Sequence, residues 1–204
     1  LTLFYLKGLL IGFLIAAPVG PVSLLCIEKT LEEGRFSGFI TGIGSTLGDA
    51  LFSALAIFGL TAITDTWLGE WWVRSLGSMF LIYVGLRMLL SQHTMIHAAD
   101  FIHTDMHRNF ASAFIINITN PLPLLAYISV FAVLDMSVAK SGYVPSSLLV
   151  GGVATGSALW WLTLSWLMNV FREHMHEKGL KWVNRIAGVV TILFGLGVLY
   201  SVFM

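Results

Sequence analysis

Charge is what this sequence has least of. Only 11% of its 204 residues are Asp, Glu, Lys or Arg, and 57% are hydrophobic; soluble domains run nearer ~25% charged. The Lys and Arg residues equal the Asp and Glu residues in number, so no net field points to nucleic acid or to an acidic partner. The one cysteine, Cys26, excludes an intrachain disulfide framework and leaves any Cys-based metal site in need of other ligand types. No Ser-His-Asp set, Walker loop or His-Glu-x-x-His motif occurs. An intramembrane enzyme is therefore disfavoured, ATP would have to come from a separate subunit, and no cofactor is implied.

What is present is apolar length. A bilayer core of ~30 Å needs roughly 20 apolar residues as helix. Six stretches qualify: about 3–27, 36–64, 72–91, 109–135, 145–170 and 182–203. The connections expected between them are Glu28 to Arg35, Asp65 to Trp71, Gln92 to Arg108, Met136 to Val144, and Phe171 to Lys181. Lys7 followed by Gly8 to Ile15 imitates a signal peptide, but Pro18 stands where cleavage would occur and the apolar run continues, so a first span is expected. An even number of spans puts both termini on one side. Lys29, Arg35, Arg87, Arg108, Arg172, Lys178, Lys181 and Arg185 fall with the odd-numbered connections, against Lys7, Arg74 and Lys140 opposite. The excess places the odd connections in the cytoplasm and both termini outside, provided that all six runs span. Trp67, Trp71, Trp72 and Trp182 sit at span ends as an aromatic belt, while Trp160, Trp161 and Trp166 lie deeper, suited to packing or lipid contact.

One stretch breaks the pattern. Pro18, Gly20 and Pro21, followed by Ser23, interrupt the first run, and two prolines so close cannot continue an α-helix. Irregular backbone at membrane depth is tolerated only where protein or a water-filled cavity surrounds it. A counterpart lies in the fourth run, at Asn117, Asn120, Pro121 and Pro123. The second and fifth runs also match: Gly44-x3-Gly48-Asp49-Ala50-Leu51 lines up with Gly152-x3-Gly156-Ser157-Ala158-Leu159. Ile82 to Leu86 in the third resembles Leu193 to Leu196 in the sixth. The expected architecture is a single all-α, polytopic membrane domain over 1–204. Repeat 1 covers about 1–91, a linker 92–108, and repeat 2 about 109–204. Three spans per repeat turn the second repeat upside down, the plan of secondary transporters with broken helices at the midplane; chance similarity among Gly-rich membrane helices is the plainer alternative.

Asp49 is the only acidic residue deep within a run. A carboxylate there costs at least ~2.5–3.5 kcal/mol on insertion scales and usually faces the bundle or a cavity. Gly38, Gly42, Ser45, Asp49 and Ser53 recur every three or four residues, which makes one helical face small and polar. Such a carboxylate suits proton coupling or a substrate cation; a structural hydrogen bond to a neighbouring helix is the bland alternative. A half-helix starting near Val22 would turn unpaired amides toward an anion, with Ser23 adding a hydroxyl. Asn117 and Asn120 would supply amides at the matching place. His93, His97, His103 and His107 form a competing cluster in the third connection, with pairs four residues apart that would share a helical face as metal ligands. An exposed polar linker is the commoner explanation of such a cluster.

Gly12-Phe-Leu-Ile-Ala-Ala-Pro18-Val-Gly20-Pro21-Val, then Thr30-Leu-Glu-Glu-Gly34-Arg35, Gly48-Asp49-Ala50-Leu51 and Asn120-Pro121, together resemble the LysE-type translocators, the LysE/RhtB amino-acid exporters. The resemblance covers nearly the whole chain in order. It implies an ion-gradient-driven exporter of amino acids or related small metabolites in the bacterial inner membrane, with a small-molecule substrate and the lipid bilayer as partners. Homo-oligomerisation is left open. The family often carries a Lys after Asn-Pro and an aromatic run beyond it, where Leu122, Pro123 and Leu124 to Tyr127 stand here. On this reading Pro18, Gly20, Pro21, Ser23, Asp49, Asn117, Asn120 and Pro121 bind substrate, and Asp49 exchanges the coupling proton. Related proteins that export divalent metals carry His-rich loops, so metal efflux through the histidine connection is the first alternative. A non-transporting membrane scaffold subunit is the second.

Overall fold

A computed structural model describes residues 1–63, 71–90, 105–133 and 142–170, with single helical positions between 185 and 200. Among these residues there is no strand. Seven helices follow in order: α1 (Thr2–Ala16), α2 (Pro21–Glu33), α3 (Arg35–Ile63), α4 (Trp71–Leu90), α5 (Met106–Thr119), α6 (Pro121–Val133) and α7 (Tyr143–Val170). Two stretches, Arg35–Gly59 and Tyr143–Val170, are long and apolar enough to cross a membrane unaided. Two more qualify as bent pairs: α1 with α2 at 80°, and α5 with the Pro121–Phe131 part of α6 at 61°.

Both bends fall where proline stops the preceding helix. α1 ends at Ala16, and Gly20 stands extended (φ −122°) as the cap of α2, which opens on Pro21. Proline suits that first helical position, where its missing N–H has no intrahelical acceptor to lose. α5 ends at Thr119, and Asn120 is extended before Pro121 opens α6. The Asn120 side chain caps the new helix, its Oδ1 accepting from the Leu122 amide at 3.1 Å. The first and fourth expected runs are thus each two helices at a steep angle rather than one.

One expected connection closes up. The segment Glu28 to Arg35 is helical except for Gly34, whose φ of +96° reverses the chain in a single residue. Lys29 and Glu33 pair within α2 at 2.9 Å, one helical turn apart, which lets the helix carry these charges to its last residue. The second, third and fifth runs are helical within two residues of expectation. The sixth run, the Asp65 to Trp71 connection, most of the histidine connection and the Phe171 to Lys181 segment lie largely or wholly outside the described residues.

α7 packs along α1, and α3 packs along α5; α3 and α7 also touch each other. Further contacts join α2 with α3, α5 and α7, and α6 with α1, α3 and α4. Glycine permits the closest of these approaches. A Cβ on Gly152 would strike the Tyr5 carbonyl and one on Gly156 the Leu9 carbonyl, while Gly44 meets the Phe110 carbonyl. Two buried apolar clusters result. One joins Phe52 and Ala56 of α3 with Tyr127 and Val130 of α6 and Leu149 and Val153 of α7. The other joins Val19 with Cys26 of α2 and Trp161, Leu164 and Met168 of α7. Along α7 the first cluster ends at Val153 and the second begins at Trp161, which leaves Ser157 between them.

Gly152→Ala is expected to destabilise the protein by ~1–3 kcal/mol, because the added methyl meets backbone that cannot rotate away. Gly59→Ala, at an exposed helical position with nothing within 4 Å of the added methyl, should be neutral or stabilising by up to ~1 kcal/mol. Thermal unfolding of the two purified variants in detergent measures both.

Candidate substrate site between the helix breaks

The gap between the two apolar clusters holds Asp49. Its position on α3 follows from the small polar face that the sequence sets every four residues, and that face is buried throughout. Gly38 lies against Thr30 and the Cys26 carbonyl of α2, and Gly42 lies under the Trp161 ring of α7. Ser45 meets Asn117 of α5, and Ser53 donates to the Ala50 carbonyl at 2.9 Å.

Asp49 is 3% exposed, and each of its carboxylate oxygens accepts a hydrogen bond from a different helix. Asn117 Nδ2 of α5 donates to Oδ1 at 3.2 Å. Ser157 Oγ of α7 donates to Oδ2 at 2.6 Å, a length typical of a hydroxyl bonded to an ionised carboxylate. Asn117 Nδ2 also donates to the Ser45 carbonyl at 2.9 Å and contacts the Ser45 hydroxyl. Ser157 Oγ in turn accepts from Trp161 Nε1 at 3.2 Å and shares a hydrogen bond with Thr46 Oγ1 at 3.2 Å. No Lys, Arg or His pairs with Asp49 among the described residues. A buried carboxylate held only by neutral donors is left with a net negative charge that a proton or an external cation can answer.

Two further polar atoms are buried in this part of the fold without a hydrogen-bond partner among the described residues, Asn117 Oδ1 and Tyr127 OH. Tyr127 of α6 packs in the same apolar cluster as Phe52, one turn along α3 from Asp49. Buried polar groups are almost always satisfied in folded proteins, so orphaned atoms beside a carboxylate mark a place for something else to bind.

The structure unites some of the expected site residues and separates others. Asp49 and Asn117 are in direct contact. Asn120 and Pro121 lie three and four residues beyond Asn117, at the second break, where the Asn120 carbonyl oxygen is occupied in capping α6. Pro18, Gly20, Pro21 and Ser23 form the first break, and the buried Ser23 hydroxyl is turned back to the Pro18 carbonyl at 3.0 Å. No hydrogen bond links that break to Asp49 among the described residues. Its connection runs through packing: Val19 and Trp161 share one apolar cluster, and Trp161 donates to the serine that holds Asp49. His93, His97 and His103 lie outside the described residues. His107 is exposed in the first turn of α5, its amide bonded to the Asp105 cap at 3.0 Å. Among the described residues no three His, Cys, Asp or Glu side chains come together as a metal site.

A proline-broken helix pair repeated at two places, with a buried carboxylate bridged from both sides, is the geometry against which relatives can be compared. The profile of a family described as LysE type translocator matches residues 13–202. The chain belongs to the LysE type translocator family. YcgF of Bacillus subtilis strain 168, whose name proposes it for amino acid efflux, is 27% identical over 94% of this chain and 92% of its own length. The leucine efflux protein of Salmonella typhimurium strain LT2 is 30% identical over 68% of this chain and 65% of its own. YahN of Escherichia coli K12, an uncharacterized membrane protein, is 26% identical over 86% of this chain and 79% of its own. No solved structure matches. The LysE-family assignment makes the protein a membrane translocator and agrees with the absence of an enzyme motif.

In this LysE-family chain the sequence pattern points to Asp49 and Asn117, and to Ser45 as a member of the same polar face, but not to Ser157, Trp161 or Tyr127 as parts of the site. Ser157 was within reach, since it is the residue aligned with Asp49 in the Gly-x3-Gly match. Ser157→Ala is expected to cost ~1–3 kcal/mol of stability by leaving one carboxylate oxygen without its donor. In the Asp49→Asn background the same change should cost less, with a coupling of ~0.5–3 kcal/mol in a double-mutant cycle. Strictly additive unfolding energies would show that the bond contributes nothing.

Proposed function

We propose that this protein is a secondary exporter of amino acids or closely related zwitterions across the bacterial inner membrane, driven by an ion gradient. The observation that carries the reading is the buried Asp49 carboxylate, paired with no Lys, Arg or His among the described residues and tied at once to Asn117 of the second broken pair and to Ser157 of α7. The substrate ammonium meets Asp49. Its carboxylate meets the first-turn amides of α2 near Gly20 to Ser23, where no side chain caps the helix and the helix dipole favours negative charge. Asn120 and Pro121 shape the opposite wall, and proton exchange at Asp49 couples transport to the gradient. The names of YcgF and of the leucine efflux protein favour an amino acid as cargo.

Two inverted repeats supply the alternating access. The supporting observation is that exchanging repeat 1 (about 1–91) with repeat 2 (about 109–204) maps three helix pairings onto one another, while the α2 contact with α3 has no comparable counterpart between α6 and α7 among the described residues. The pairing α1 with α7 becomes α5 with α3, α1 with α6 becomes α5 with α2, and α2 with α7 becomes α6 with α3. Asp49 and Ser157 occupy matching positions and touch at 2.6 Å; two positions exchanged by a two-fold rotation meet only at its axis. The axis then passes through the site, as in other transporters built from inverted repeats. With all six runs spanning, the excess of Lys and Arg on the odd-numbered connections would set both termini outside and the Gly34 end of α3 in the cytoplasm.

Reconstituted vesicles loaded with leucine test the coupling. Asp49→Asn keeps the shape and one acceptor, and is expected to slow efflux at least about tenfold, ~1.4 kcal/mol, and to abolish its dependence on a proton gradient. Wild-type efflux with undiminished proton dependence would sink the mechanism.

A further inference from the structure

The two interfaces related by the proposed repeat exchange both use glycine against backbone, Gly44 on the Phe110 carbonyl in the α3/α5 case, but only α3/α5 adds polar side chains to it among the described residues. α1 meets α7 through glycine and bare backbone: Gly8 faces the Leu149 carbonyl and Gly12 the Val153 carbonyl, with no room for a side chain. In the α3/α5 interface the position matching Gly12 is Asn117, the one matching Gly8 is Ala113, and a second asparagine, Asn109, stands one turn before Ala113. Asn109 Nδ2 donates to the Glu33 carboxylate at 2.8 Å and to Ser37 Oγ at 2.9 Å. Two turns further along α5, ~12 Å at 1.5 Å per residue, Asn117 binds the Ser45 carbonyl and Asp49. A buried polar line therefore runs from the Gly34 end of α3 to the midplane carboxylate. Asn117 Oδ1 on that line is buried and has no partner among the described residues.

Glycine-packed backbone has nothing to offer water when it parts. Polar pairs lose little on separation, because each exchanges one hydrogen bond for another with water. The polar interface is thus the one able to open and be wetted. At its end, Glu33 accepts from Lys29 Nζ at 2.9 Å on one oxygen, and from Ser37 and Asn109 on the other. Those two donors belong to α3 and α5, the helices that would separate. A primary ammonium carries enough N–H groups to replace both.

We propose that the α3/α5 seam is the route by which substrate reaches Asp49, and that Glu33 at its mouth is a binding site for the ammonium of an incoming zwitterion. The inference rests on the reading of Asp49 as the midplane cation site. Opening begins when the ammonium takes the place of Ser37 and Asn109 on Glu33, and the seam then parts toward Asn117.

Cross-linking in a Cys26→Ser background tests the route. Ser37→Cys with Asn109→Cys ties the seam, and Phe13→Cys with Trp160→Cys ties α1 to α7, whose rings meet edge to face at 5.3 Å. Oxidation of the seam pair is expected to lower leucine efflux about tenfold, with recovery on reduction, whereas oxidation of the α1/α7 pair should change it less than about twofold. Seam-linked protein, verified by mass, that exports at its reduced rate would overturn the proposal, as would equal block by both links. Should the reduced seam pair be inactive, Glu33→Gln decides. A half-saturating internal leucine concentration raised several-fold with unchanged maximal rate supports the site, and an unchanged value overturns it. Calorimetric leucine binding to purified Asp49→Asn separately tests the underlying reading. Wild-type affinity there removes the midplane site and the proposal with it, while lost binding leaves the cross-links to decide on the route alone.

Discussion

A carboxylate in the middle of an apolar bundle has to be held, and the way Asp49 is held organises this fold. Its two oxygens draw donors from α5 and α7, so three helices that never adjoin in sequence converge on one group. Leaving such a charge without its donors costs several kcal/mol, a large share of a typical net stability of 5–15 kcal/mol. The glycines of α3 and α7 permit the convergence: the bare Gly48 leaves room for the Asn117 side chain of α5 to lie against α3, and the bare Gly156 lets the α1 backbone approach α7. Small residues are thus spent on proximity, and proximity is spent on a polar site.

The family assignment and the site geometry bear on different questions. Membership in the LysE type translocators makes the chain a membrane translocator. It leaves open which residues face the cargo. That part rests on chemistry: a carboxylate with neutral partners, two orphaned polar atoms nearby, and two helix starts with prolines at their first positions. These features favour a ligand that brings its own positive charge. The asparagine-bearing second break does different work from the first, because Asn120 uses its side-chain amide oxygen to cap α6 whereas α2 begins on Gly20 without a side-chain cap among the described residues.

Much of this was legible in the residues. Apolar length located α3, α4 and α7 to within a residue or two, because at membrane depth no alternative satisfies the backbone, but it stopped short of the last turns of α2. The prolines of Pro18 to Pro21 and Pro121 to Pro123 located the breaks, and spacing in fours placed Asp49 on a buried face. Angles were not legible: bends of 80° and 61° depend on what packs beside the break, which no local pattern records. Neither was the fate of Glu28 to Arg35. Its charges looked like a loop, yet Lys29 and Glu33 neutralise each other along one helical face and Asn109, from a distant segment, completes their hydrogen bonding. Trp161 read as simple packing, and its indole N–H proved to be bonded to the serine beneath Asp49.

The single-residue turn at Gly34 leaves the chain no slack between α2 and α3. Glu33 on one side of it is bonded to Ser37 on the other, so the turn is stapled across as well as short. Surface loops ordinarily absorb insertions without consequence. Here one added residue would put Glu33 out of phase with Ser37 and Asn109, and if it joined α3 it would turn everything before it by ~100° about the helix axis. Length variation in this part of the chain is therefore closed to drift, and the spacing from Pro21 through Gly34 to Asp49 behaves as a fixed ruler between the first break and the midplane.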